Sequence, residues 1–148
     1  MRIYLDVCCL SRPFDDHTQD RVRLESEAVL AIISHGLAEH WTLLNSEVID
    51  LEISKIPDSG RTERVRLFSS VLRPRIGVDE AATKRADQLN ALGFKPYDAL
   101  HIACAEKGRA DILLTTDDDL INKASQNKGI LRVRLDNPLA WLIKEMKK

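Results

Sequence analysis

The most constraining feature of this chain is an alternation that never breaks. Apolar runs of strand length take turns with stretches of helical spacing along all 148 residues. Ile3–Asp6, Trp41–Leu44, Arg75–Val78, Ile112–Thr115 and Leu131–Leu135 read as strands. Helical spacing covers Gln19–Ser34, where Val22, Val29, Ile32 and Ile33 share a side and Gly36 offers a stop. A second helix is capped by Asn45 or Ser46 and ended by Pro57, and a third spans Thr62–Leu72. Asp79 caps a helix to Leu92, closed by Gly93, and Pro96 opens one that runs to Lys107. Leu120–Ser125 and Leu139–Lys147 complete the set, and the polar stretch Ser11–Asp20, with Pro13, reads as a loop.

Strands separated by helices require crossovers, and crossovers give a parallel sheet covered on both faces. The expected architecture is therefore α/β, a three-layer α/β/α sandwich around a mainly parallel sheet. No repeat, low-complexity tract or linker divides the chain, so residues 1–148 are expected to form a single domain. In such sheets ligands bind beyond the strand carboxyl ends, where strand order switches direction.

Carboxylates stand where that rule points. Asp6 ends the first strand, and Asp117 follows the run Ile112–Thr115. Asp98 opens the stretch Asp98-Ala99-Leu100-His101-Ile102-Ala103. At about 3.6 residues per turn, Val48, Ile49, Glu52, Ile53 and Ile56 share one helix side, so Glu52 interrupts an apolar stripe. Each acid has an ordinary alternative. Asp6 suits a turn, Asp98 a helix cap, and Glu52 an ion pair at a helix edge. In the run Asp117-Asp118-Asp119, at least one side chain is expected to be merely solvated; Asp117 is the best candidate ligand and Asp119 a further one. Thr115 or Thr116 is placed to orient a carboxylate by its hydroxyl. His101 lies one turn after Asp98 and is given no chemistry. Together, acids converging on one site repel and need a cation, and an oxygen-only ligand set favours Mg²⁺ or Mn²⁺. Such ions serve phosphate hydrolysis or transfer.

Composition removes several classes. The net charge is −1, from 22 basic and 23 acidic residues, so binding driven by bulk positive charge is excluded. Any nucleic-acid contact falls to local groups, Arg12 in the first loop and Arg61, Arg64 and Arg66 along the middle helix, for which a solvated face is the ordinary alternative. Phe14 and Tyr97 are the aromatics nearest the acids in sequence. The cysteines Cys8, Cys9 and Cys104 have neither disulfide-scaffold nor zinc spacing. No apolar stretch approaches the ~20 residues that span a bilayer, and Met1-Arg2 enters a strand without a signal-like segment. A cytoplasmic protein with no membrane association is expected.

On these residues the chain resembles the PIN-domain nucleases, most closely the VapC-type toxins of toxin–antitoxin pairs. The resemblance rests on Leu5-Asp6, Glu52, Asp98-Ala99-Leu100-His101-Ile102-Ala103 and Thr115-Thr116-Asp117, and covers essentially the whole chain. It implies metal-dependent cleavage of single-stranded RNA, a homodimer, and a small antitoxin over the site. Asp6, Glu52, Asp98 and Asp117 would be the catalytic and metal-binding residues, with one or two ions. Leu120 departs from the family, where many toxins carry an aromatic. A haloacid-dehalogenase-type phosphatase needs a second Asp two residues after the first, where this chain has Cys8. A receiver domain needs paired acids after the first strand and fits poorly. The non-enzymatic rival is an RNA- or partner-binding module that keeps a metal.

Overall fold

The structure, a computed structural model, describes residues 1–148. One sheet contains β1 (Arg2–Leu5), β2 (Thr42–Ser46), β3 (Arg75–Ile76), β4 (Ile112–Leu114) and β5 (Arg134–Asp136), in the order β3-β2-β1-β4-β5. Every neighbouring pair is parallel: Ile3 faces Leu43 on one side and Ile112 on the other, and Leu113 faces Leu135. The helices are α1 (Val7–Ser11), α2 (Asp20–Leu37), α3 (Glu47–Ser54), α4 (Ser59–Ser69), α5 (Glu80–Ala91), α6 (Pro96–Lys107), α7 (Asp118–Gln126) and α8 (Pro138–Met146).

The chain starts in the middle of the sheet, winds outward to β3, then returns to the far side of β1 to place β4 and β5. Crossovers of this kind are right-handed in nearly all sheets, so reversing the winding direction covers both faces; α8 packs on α2, and α5 packs on α6. The direction changes between β1 and β4, the crevice that doubly wound sheets use for ligands. Asp6 follows β1 and Asp117 follows β4, so both acids flank that crevice.

Burial explains why the strands carry continuous apolar runs. Ile3, Tyr4, Leu5, Leu44, Leu113 and Leu114 are inaccessible, as covering both faces of a parallel sheet demands. Full burial of each such aliphatic side chain contributes about 1.5–3 kcal/mol. Ser46 accepts the Ile49 N–H and starts α3, Asp79 accepts from Ala82 and starts α5, and Asn137 accepts from Leu139 and Ala140 ahead of Pro138 in α8. Gly93 closes α5 at φ +101°, a conformation that disfavours any side chain. Gly108 ends α6 where a Cβ would lie 3.0 Å from Leu44 and 3.1 Å from Ile76, so it lets the helix end close on the sheet.

Three sequence expectations need correction. Ser11–Asp20 is not wholly a loop: α1 ends at Ser11 and a 3₁₀ turn spans Arg12–Phe14. A five-residue helix is too short to show a period, and α1 hides behind the functional look of Asp6. The helix read as Gln19–Ser34 continues through Gly36 to Leu37, since a Gly inside a packed helix costs only about 1 kcal/mol. The middle helix likewise begins at Ser59, capped by Asp58 rather than near Thr62.

Candidate metal centre

Asp6 leaves β1 at the crevice with only 6% of its surface exposed. Its Oδ2 accepts a hydrogen bond of 3.1 Å from the Thr115 hydroxyl. The same hydroxyl oxygen accepts the Asp117 N–H at 3.1 Å, so Thr115 fixes Asp6 and the Asp117 backbone together. Cys8 completes this corner, with Sγ 3.3 Å from Thr115 Oγ1. Asp117 caps α7: Oδ1 accepts from Asp119 N at 3.0 Å and Leu120 N at 3.2 Å, and Oδ2 is left free.

Asp98 does not cap its helix. Lys95 occupies that place without a side-chain bond, and the Asp98 carboxylate accepts no hydrogen bond. Burial, then the charges of Asp6, Asp117 and Glu52, push its carboxyl up to about 6, and only His101 opposes them. The charges of Asp6, Asp117 and Glu52 thus all act on Asp98, though only Asp6 and Glu52 bring oxygens within 4.8 Å of each other and of His101. Asp118 is instead exposed and paired with Arg21 at 2.7 Å, and Asp119, exposed with an unpartnered carboxylate, is the solvated member of the run. Leu120 is buried and packs in the core.

His101 carries the organisation that the sequence left unassigned. Its Nε2 lies 2.6 Å from Glu52 Oε1 and 3.8 Å from Asp6 Oδ1. Its Nδ1 lies 2.6 Å from the Tyr4 hydroxyl, which is 2.7 Å from Ser46 Oγ. A carboxylate can only accept, so Nε2 carries a hydrogen toward Glu52. Burial disfavours the charged ring, but the bond to Glu52 and the charges of Asp6, Glu52 and Asp98 outweigh it and raise the imidazole pKa. Burial also keeps the Tyr4 phenol protonated by raising its pKa well above the ordinary range. Glu52 is therefore held from β1 through α6. Its partner is a basic side chain, as the ion-pair alternative supposed, yet that partner belongs to the acid cluster itself.

The arginines offered as phosphate contacts are largely committed elsewhere. Arg12 binds Asp15 and the buried Glu25, and Arg61 binds Asp15 and the Phe14 and Ser11 carbonyls. Phe14 stacks on Phe68 with the Arg64 guanidinium 5.5 Å from its ring centre, so it serves packing.

The donor set fits a divalent ion. Asp6 and Glu52 bring carboxylate oxygens within 4.8 Å of each other and of His101, whose Nε2–H holds Glu52 and is not free to bind an ion, and the unpartnered Asp98 carboxylate faces the same charges. Three or more carboxylates around one buried histidine leave excess negative charge that a cation would neutralise.

The PIN domain family matches residues 3–126, so the chain belongs to that family. Among solved structures it is similar to a chain of VapBC2 from Rickettsia felis, described bound to a DNA fragment from their promoter. That match has 18% identity and a TM-score of 0.62, covering 93% of this chain and 98% of that one. It is also similar to a chain of FitAcB from Neisseria gonorrhoeae, with 17% identity and a TM-score of 0.56, covering 92% and 97%. No curated protein matches the chain. No helix is long and apolar enough to cross a membrane.

Proposed function

We propose that this chain is a metal-dependent endoribonuclease that hydrolyses phosphodiester bonds of single-stranded RNA. The observation that carries the reading is an unpaired Asp98, in a PIN domain, on which the charges of Asp6, Asp117 and Glu52 all act, with Asp6 and Asp117 at the crevice between β1 and β4. Asp6, Asp98, Asp117 and Glu52 would hold Mg²⁺ or Mn²⁺. When bound, the ion supplies an activated water and neutralises charge developing on the phosphate. The protein's own groups prepare that step. Thr115 keeps Asp6 and Asp117 in fixed relation, and the Ser46–Tyr4–His101 chain orients Glu52. Asp98 must lose its proton to become a ligand, so metal affinity rises as pH climbs through about 6.

The similarity to VapBC2 favours a toxin role with a cognate antitoxin, and we propose a cytoplasmic site of action. Exposed Leu37, Leu67 and Val71 are apolar surface available to a homodimer or an antitoxin. The test is cleavage of a mixed single-stranded RNA pool with Mg²⁺, Mn²⁺ or EDTA, alongside Asp6→Asn and Asp98→Asn. Metal-dependent cutting lost in both variants supports the proposal. Cutting that survives both substitutions refutes the site. Folded, metal-binding protein that never cuts favours the binding-module alternative.

A further inference from the structure

A second buried carboxylate lies outside the acid cluster. Glu25, on α2, is 1% exposed. Its Oε1 accepts from Arg12 at 2.7 Å, and its Oε2 accepts from Arg21 at 3.1 Å and from the Asn137 amide. Arg12 and Asn137 already give each oxygen a donor, one of them cationic. Arg21 is not needed to compensate the charge, and its side chain is 51% exposed. A half-exposed pair contributes little to stability by itself.

What Arg21 adds is reach. Its Nη1 and Nη2 bind the two Asp118 carboxylate oxygens at 2.7 and 2.8 Å, and Nη2 also donates to the Thr116 carbonyl at 3.3 Å. Thr116 and Asp118 are the residues on either side of Asp117. A bidentate guanidinium–carboxylate contact fixes orientation as well as distance. Glu25 is anchored in turn from the 3₁₀ turn through Arg12 and from the start of α8 through Asn137.

We propose that Arg21 is a positioning residue for the metal centre: held by Glu25, it clamps Thr116 and Asp118 and so sets where Asp117 presents its free oxygen. The proposal rests on Asp117 being a metal ligand. Outer groups that orient a ligand typically change metal affinity about 10–100-fold when removed. Arg21 acts through the backbone beside its target, so the lower end applies.

The test is calorimetric titration of Mn²⁺ into metal-free protein, well below the melting temperature. The proteins compared are wild type, Arg21→Ala, Asp118→Asn, the double variant, and Arg23→Ala as a surface-charge control. Arg23 sits on the same helix and pairs with Asp20 and Glu27. Loss of a nearby cation by itself would tighten Mn²⁺ binding, because it removes repulsion. The clamp predicts the opposite sign: Arg21→Ala weakens Mn²⁺ binding about tenfold, and Arg23→Ala leaves it unchanged. The double variant is no weaker than the weaker single one, since both break one contact. Arg21→Ala with wild-type or tighter affinity overturns the proposal, as do losses that multiply in the double variant. Wild-type protein that binds no Mn²⁺ overturns the metal reading and this proposal with it. Wild type that binds, with Arg21→Ala binding equally well, sinks the clamp alone.

Discussion

Replacing Asp98 by Asn tests the reading of the site without any RNA. Asp98 is half-buried, accepts no hydrogen bond and stands among Asp6, Asp117 and Glu52, so its carboxyl rises from 3.8 to about 6. The folded state then holds this proton more tightly than the unfolded chain does. Between about pH 4 and pH 6 the native protein binds more protons, so unfolding stability falls as pH rises through that window and levels off above it. A difference of about two pH units corresponds to ~3 kcal/mol. The group is far from fully enclosed, and solvent screening cuts this to roughly 1–2 kcal/mol. Asn cannot ionise, so metal-free Asp98→Asn should be more stable than wild type at pH 7.5, by roughly 2–6 °C in melting temperature for a chain of this size. Its advantage should vanish at pH 4. Saturating Mn²⁺ should reverse the order, because only wild type gains binding energy. Calorimetric or circular-dichroism melts with EDTA and with Mn²⁺, at both pH values, provide the measurement. A metal-free variant no more stable than wild type at pH 7.5 would show that Asp98 is not strained by its neighbours.

The remaining expectations concern its neighbours. His101→Phe leaves Glu52 unheld and removes one partner from the buried Tyr4 hydroxyl. It should cost about 1–3 kcal/mol in urea denaturation, and a cycle with Tyr4→Phe should show coupling rather than additive losses. Asp117→Asn keeps an oxygen to cap α7, whereas Asp117→Ala removes the cap and should lose about 1 kcal/mol more in the same assay. Both should lose Mn²⁺ binding in calorimetry, and retained affinity in either would remove Asp117 from the ligand set. Leu5→Ala empties a fully buried position in the central strand and should destabilise by about 2–5 kcal/mol in urea denaturation, with Mn²⁺ affinity measured below the transition kept.

Much of this arrangement was legible in the linear sequence, for reasons that separate local from long-range order. The strand and helix periods, the caps at Ser46 and Asp79 and the stop at Gly93 are short-range signals; the caps and that stop are realised, while element ends shift by a few residues, as where the strand read at Leu131–Leu135 lies at Arg134–Asp136. Asp6 and Asp117 could be placed because a parallel sheet sends strand ends to one side. Asp98 was recognisable as an acid at a helix start, but only the fold shows that it does not cap. His101 was opaque: its partners Tyr4 and Glu52 lie 97 and 49 residues away, and no period or motif encodes that meeting. Glu25 falls on the apolar side of its helix, between Val22 and Val29, so its burial is readable from spacing, but its partners are not. Its partner Asn137 is 112 residues distant.

These long-range pairs share one physical logic. A site of mutually repelling acids gains nothing for folding and must be held open by contacts that do not neutralise it. Thr115 fixes Asp6 with a neutral hydroxyl, and the backbone N–H groups of α7 fix one oxygen of Asp117. The single buried basic group, His101, is tied to Glu52 rather than to Asp98. The arginines that would cancel the charge outright are kept outside, on Glu25, Asp15 and Asp118. An Arg paired with Asp98 would stabilise the apo fold and abolish the cation's advantage. On the proposed reading, keeping Asp98 unpaired would leave its neutralisation to the ion and couple metal binding to the site's protonation.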